Sequence, residues 1–178
     1  MDKIKTHYKA ALAYYEIAYY IKKYITSETV IICIGTDKCI GDSLGPLVGT
    51  MLQDKNFPLP VFGTIDLPIH ALNLDKNLKE IKALHPNASI LAIDASLGDE
   101  DAIGEIHCRN YAIHPGKGVG KKLPDVGEAS IIGIVDSCDK AEFFASRTIR
   151  LSLIMHMSKV ITDGLLHGYY LAAIQKNS

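Results

Sequence analysis

The sequence carries no excess of charge: 19 Lys and Arg stand against 20 Asp and Glu, a net charge of −1. That balance leaves no electrostatic footprint for DNA, RNA or an anionic membrane, so neither nucleic acid nor membrane is expected as a partner. No run approaches the roughly 18 continuous apolar residues that a membrane span needs, and MDKIKTHYKA starts no signal peptide. A cytoplasmic protein is the expectation. The four cysteines, Cys33, Cys39, Cys108 and Cys138, form no C-x-x-C pair, which leaves a zinc knuckle or thioredoxin-type motif without support. They read as free thiols, with Cys33 a small apolar residue inside a strand and a redox role for Cys39 left open. Repeats, low-complexity tracts and linkers are also lacking.

What is present is globular in character. Apolar residues make up 48% of the 178 and charged residues 22%. The length fits one domain, residues 1–178, and a chain of this size buries roughly 70% of its unfolded surface without staples. Residues 2–25 lack Gly and Pro and carry Tyr8, Leu12, Tyr15, Tyr19 and Ile21 at near-helical spacing. This predicts an N-terminal amphipathic helix within residues 1–28, ahead of an α/β core at 29–178. Its lysines form a solvated face. Its tyrosines, Tyr14, Tyr15, Tyr19 and Tyr20, either cover the sheet or form a contact in a homo-oligomer.

Val30 to Ile34 is an unbroken apolar run ending at Gly35, the pattern of a strand buried on both faces. Val61 to Ile65 and Ile90 to Ile93 read as further strands, with Ile103 to Cys108 and Ile131 to Val135 as weaker ones. Leu44 to Leu52 reads as a helix that tolerates Pro46 in its first turn. Asn73 to Leu84 is a second, with Leu74, Leu78, Ile81 and Leu84 on one stripe. Residues 140–173 read as one long helix or two, with a break expected near Ile161–Gly164 because Gly164 and Gly168 weaken it. Strands alternating with helices predict a three-layer α/β/α sandwich on a mainly parallel sheet, whose sites form at the carboxyl ends of strands.

Three segments are candidates for such a site. The first, Gly35 to Pro46, follows a buried strand and opens a helix, with Asp42 either capping that helix or acting chemically. The second, Ile93-Asp94-Ala95-Ser96-Leu97-Gly98, puts a carboxylate directly after an apolar strand. Two such strands bring Asp42 and Asp94 to one rim, where close carboxylates share a proton or bind a cation, and either arrangement activates a water. The third, Ile113 to Lys122, lacks the spacing of a phosphate-binding loop and reads as a substrate-facing loop carrying His114, a metal ligand or proton donor. A rival reading is a serine hydrolase. Gly41-Asp42-Ser43-Leu44 spells the nucleophile block of the GDSL esterases, with Asp163 and His167 the available partners, four apart rather than three.

With these segments, the chain resembles the YyaC family of sporulation proteins from endospore-forming Firmicutes, over about residues 29–172. Through that family it resembles the spore germination protease, which degrades small acid-soluble spore proteins, and more remotely the hydrogenase maturation endopeptidases. The carrying matches are Asp42-Ser43-Leu44-Gly45-Pro46, Ile93-Asp94-Ala95-Ser96-Leu97 with one residue interposed, and the Ile-His-Pro-Gly-x-Gly-Val-Gly segment from Ile113 to Gly120. The resemblance implies the fold of the maturation proteases and peptide hydrolysis by Asp42 and Asp94, within the forespore or spore. It implies Asp42 and Asp94 as metal ligands as well, with His114 as the third. Gly41, Pro115, Gly116 and Gly118 would line the substrate. The function expected is therefore an endopeptidase with paired aspartates, with or without a divalent metal (Zn, Mn or Ni), acting on a protein or peptide. The alternatives are a non-catalytic sporulation protein that binds a partner peptide in the same cleft, and the serine hydrolase.

Overall fold

A computed structural model describes residues 2–115, 123–137 and 149–176. Six strands form one sheet: β1 (Lys3–His7), β2 (Thr29–Cys33), β3 (Val61–Phe62), β4 (Ser89–Gly98), β5 (Glu105–Arg109) and β6 (Ala129–Ser137). Their order is β1-β5-β6-β4-β2-β3. The ladders β3/β2, β2/β4 and β4/β6 are parallel, whereas β5 runs antiparallel to both β6 and β1. Helices α1 (Ala13–Ile21), α2 (Leu44–Asp54), α3 (Leu74–Leu84) and α4 (Leu151–Lys176) complete the α/β/α sandwich.

Every residue of β2 is buried because both of its faces are covered. Ile31 and Cys33 point into a core shared with Leu44, Val48 and Leu52 of α2, Ile17 of α1 and Met157 of α4. Val30 and Ile32 point the other way, against Leu74, Leu78 and Ile81 of α3. Each of those α3 side chains contributes about 1.5–3 kcal/mol by leaving water. The long apolar stripe is thus the reason α3 docks at all.

The N-terminal helix begins later than its spacing predicts. Lys3–His7 is a strand, with Ile4 opposite Cys108 and Thr6 opposite Ile106. Its residues alternate between exposed lysines and more buried Ile4 and Thr6, so period two wins over the tyrosine spacing that follows. In α1, Tyr20 is buried and its hydroxyl donates to the Asp2 carbonyl at 2.6 Å, while Tyr15 and Tyr19 stay exposed.

Helix α4 runs through Ile161–Gly164 without the expected break. Its glycines serve packing instead. A Cβ at Gly164 would lie 2.7 Å from Ile17, and one at Gly168 would lie 2.8 Å from Ile21, so α1 crosses α4 with almost no gap. Residues 138–148, which include Cys138 and the start of the expected helix, lie outside the described residues. No helix among the described residues is long and apolar enough to cross a membrane.

Candidate functional site

Strands β2 and β4 are neighbours, yet the chain leaves them in opposite directions, from β2 outward to β3 and from β4 toward β5 and β6. In open parallel sheets such a divergence opens a crevice beyond the carboxyl ends of the two strands. The loop after β2 borders that crevice. It leaves at Gly35 and returns on itself, the Thr36 N–H donating to the Asp42 carbonyl at 3.0 Å. Gly35 has φ +138°, and a Cβ there would sit 2.0 Å from that same carbonyl. At Gly45 a Cβ would sit 2.1 Å from the Ile34 carbonyl. The loop is thereby clasped to the end of β2 by backbone contacts that leave no room for a side chain.

Asp42 ends a single 3-10 turn, Ile40–Asp42, in which Gly41 is buried. The capping reading is corrected here: Ser43 holds the N-cap position of α2, and no side chain caps the helix. The Ser43 hydroxyl donates instead to the Ile40 carbonyl at 2.7 Å. The serine triad is not assembled either. Asp163 pairs with Lys55 at 3.5 Å, and the His167 ring meets Tyr14 edge-on at 5.2 Å.

Asp94 lies within β4 rather than after it, because β4 continues to Gly98. It nevertheless stands at an end. The β2 ladder stops at Cys33 opposite Ile93, so Asp94 is the first residue of β4 beyond its shorter neighbour. One carboxyl oxygen, Oδ1, accepts the Ala95 N–H at 2.8 Å.

Asp42 and Asp94 are half-buried as residues, with the Asp94 carboxyl the more deeply enclosed of the two. Burial raises Asp42 from the ordinary 3.8 to about 6, against the opposing effect of the Thr36 N–H. Asp94 is raised well above the same value, first by burial and then by the negative charge of Asp42. The Ala95 N–H and the positive charge of Arg109 pull it back in part. The two carboxyls therefore feel each other across the crevice. Burial and the neighbouring charge together make Asp94 hold its proton to a higher pH than an ordinary aspartate.

Arg109 is the contributor that the reading of the sequence missed. It lies on β5, where Ile106 and Cys108 are buried toward the α1 and α4 side and the alternate residues face the other way. Its guanidinium lies 4.9 Å from the centre of the Tyr111 ring. Its Nε is enclosed, with no hydrogen-bond partner among the described residues. The alternation Ile106-His107-Cys108-Arg109 was the available signal, since it marks Arg109 as sharing a sheet face with His107 rather than with the buried pair.

His114 is exposed, and its Nδ1 is 2.5 Å from the Asp125 carboxylate, next to the bridge between Ile113 and Val126. Among the described residues, no group of three or more His, Cys, Asp or Glu side chains is arranged to hold a metal ion. The Asp42–Asp94–His114 ligand set expected for Zn, Mn or Ni is therefore corrected: the imidazole is held by Asp125, and three ligands do not converge. Pro115 is half-buried beside His114, and Gly116 and Gly118 lie outside the described residues. Cys33 and Cys108 are buried, and burial pushes both thiols well up, so they are inert packing residues.

Sheet and crevice together define an α/β protein with an acidic pair at its topological switch point. Residues 5–164 match the family model described as a protein of unknown function (DUF1256), and the chain belongs to that family. It is also similar to the "Uncharacterized protein YyaC" of Bacillus subtilis (strain 168). The two are 39% identical over 146 residues, which cover 82% of this chain and 71% of that protein. The resemblance to YyaC proteins holds at the level of the family, and neither description names an activity.

Proposed function

We propose that the chain is an endopeptidase whose paired aspartates activate water at the crevice between β2 and β4. The observation that carries this reading is the approach of two carboxyls from sequence-distant segments, both raised by burial, with the charge of Asp42 raising Asp94 further. Pairs whose environments separate their proton affinities supply an acid and a base at once. The ionised Asp42 takes a proton from the attacking water, whose oxygen bonds to the scissile carbonyl carbon. The protonated Asp94 gives its proton to the carbonyl oxygen, yielding a neutral gem-diol. As the C–N bond breaks, Asp42 passes its proton to the leaving amine and Asp94 recovers one from a diol hydroxyl. Both residues end as they began.

The motif likeness to the spore germination protease supports a spore-protein substrate, and a small acid-soluble spore protein is the first probe to use. Cleavage of that probe by the purified chain, abolished by Asp42→Asn and by Asp94→Asn without loss of fold, is the expected result. Full activity in either variant refutes the assignment. Binding of the probe without cleavage favours a non-catalytic peptide-binding role instead.

A further inference from the structure

Ile34 is held from both sides at the end of β2. Its N–H donates to the Ile93 carbonyl at 2.7 Å on the β4 side. On the β3 side it pairs in parallel with Ile69, whose carbonyl accepts the Gly35 N–H at 2.8 Å. Asp94 follows Ile93, and His70 follows Ile69. The two residues therefore stand at one level, on either side of the strand whose loop carries Asp42. Neighbouring strands lie about 4.8 Å apart, so two steps across set the backbones of His70 and Asp94 about 10 Å from each other. That is the length of about three residues of extended chain.

The segment that carries His70 is built as firmly as the Asp42 loop. Gly63, with φ +86°, leaves β3 so close to β2 that a Cβ there would sit 1.8 Å from the Cys33 carbonyl. The Asn73 side chain then fixes the turn into α3. Its Oδ1 accepts the His70 N–H at 2.8 Å, and its Nδ2 donates to the Pro68 carbonyl at 3.0 Å. The His70 carbonyl accepts the N–H groups of Asn73 and Leu74 at 3.0 and 2.9 Å. The ring itself is also set. Its Nδ1 lies 3.3 Å from the Leu72 main-chain nitrogen. An amide N–H only donates, so Nδ1 is the acceptor and the proton of the neutral ring sits on Nε2. His70 is half-buried, and main chain fixes its tautomer, which makes it a directional donor. The raised proton affinities of Asp42 and Asp94 come from burial, opposed by main-chain N–H groups, and from the charges of Asp42 and Arg109 on Asp94. The imidazole is thus placed beside the reacting carboxyls rather than on them.

We infer that His70 is a substrate-binding residue of the crevice, its Nε2–H donating to a main-chain carbonyl of the bound peptide about three residues from the scissile bond. This deepens the peptidase reading and rests on it for where the reacting bond lies. The peptide then crosses the end of β2 from Asp94 toward His70, over the loop that carries Asp42. A contact so far from the reacting atoms is made equally in the bound substrate and in the transition state. It therefore acts on KM and leaves kcat alone.

The test uses the full-length protein with a small acid-soluble spore protein as the probe. Cleavage is followed in the wild-type background, and binding by calorimetry in the Asp94→Asn background, where the probe stays intact. Two substitutions separate the two ring nitrogens. His70→Asn keeps an acceptor for the Leu72 N–H and loses the outer donor, whereas His70→Gln keeps an outer donor and loses the inner acceptor. His70→Asn is expected to raise KM and weaken binding by about three- to tenfold, as for one hydrogen bond, with kcat unchanged. His70→Gln should stay close to the histidine. With peptides cut from the probe, trimming one end to about two residues beyond the scissile bond should make His70→Asn and wild type alike. The reverse order, with asparagine tolerated and glutamine impaired, shows that the ring only holds its loop and overturns the inference. A fall in kcat with KM unchanged overturns it too. Binding that depends on His70 in a protein whose wild type cleaves nothing overturns only the peptidase reading. Cleavage with KM indifferent to His70→Asn overturns only the His70 contact, and a probe that neither binds nor is cleaved overturns both.

Discussion

Replacing Asp42 with asparagine should make the protein more stable at neutral pH while removing its proposed activity. The reasoning starts from the burial that lifts the Asp42 carboxyl from 3.8 to about 6 in the fold. Below about pH 3 the group is protonated in both folded and unfolded chains, and it contributes almost nothing to their difference. Between 3.8 and 6 the unfolded chain gives up its proton first, so the folded state binds more protons and stability falls as pH rises. Above 6 the loss is complete. A difference of about two pK units corresponds to about 3 kcal/mol. An asparagine of the same shape never ionises and escapes that loss. The difference in urea-unfolding free energy, Asp42→Asn minus wild type, should therefore grow from about 0.5 kcal/mol at pH 4 to about 3 kcal/mol at pH 7. For a chain of this length that is about 6–12 °C in melting temperature. If Asp42 were instead a helix cap, asparagine would serve nearly as well and the difference would stay near zero at every pH. A flat difference, or a variant less stable at pH 7 than at pH 4 relative to wild type, refutes the account of Asp42 as a desolvated carboxyl.

Ser43→Ala should lose about 1 kcal/mol in denaturation, for its bond to Ile40, and leave the proposed cleavage of the spore-protein probe unchanged; loss of cleavage would revive the serine-hydrolase reading. Removing the positive charge with Arg109→Met should raise the proton affinity of Asp94 further, so the alkaline limb of the pH–rate profile should move upward, and an unmoved limb would show that Arg109 does not act on the pair. Gly164→Ala should cost about 1 kcal/mol by urea unfolding. Overpacking against Ile17 (about 1–3 kcal/mol) outweighs the helix-propensity gain (about 1 kcal/mol), and a stabilised variant would contradict the tight crossing of α1 and α4.

The layers of the fold were legible because burial on both faces leaves a local trace: Val30 to Ile34 and Ile90 to Ile93 are continuous apolar runs that water-facing strands do not show. The position of Asp94 followed from the second run. Its pairing with Asp42 was expected at a shared rim, but the strand order that sets β4 beside β2, with β3 beyond, is encoded by neither segment. Lys3–His7 differs from the helical expectation because its period-two alternation spans only five residues and its partner Glu105–Arg109 lies far along the chain. The roles of Gly164 and Gly168 were likewise hidden. A glycine that weakens a helix and one that seats a neighbour are the same letter, and only the position of Ile17 and Ile21 separates them. The contact of His114 with Asp125 was not legible, because motif order says nothing about which carboxylate a ring will meet.

The clasp at Gly35 and Gly45 ties both ends of the Asp42 loop to the terminus of one strand, and five residues of ladder tie that strand to the one bearing Asp94. The main-chain positions of the two acids are consequently stiffly held, which leaves side-chain rotation to vary the gap between their carboxyls. Adjustment at such a pair is left to side-chain rotation and to the loops after β2 and β3, which expose Ile40, Leu67 and Leu72.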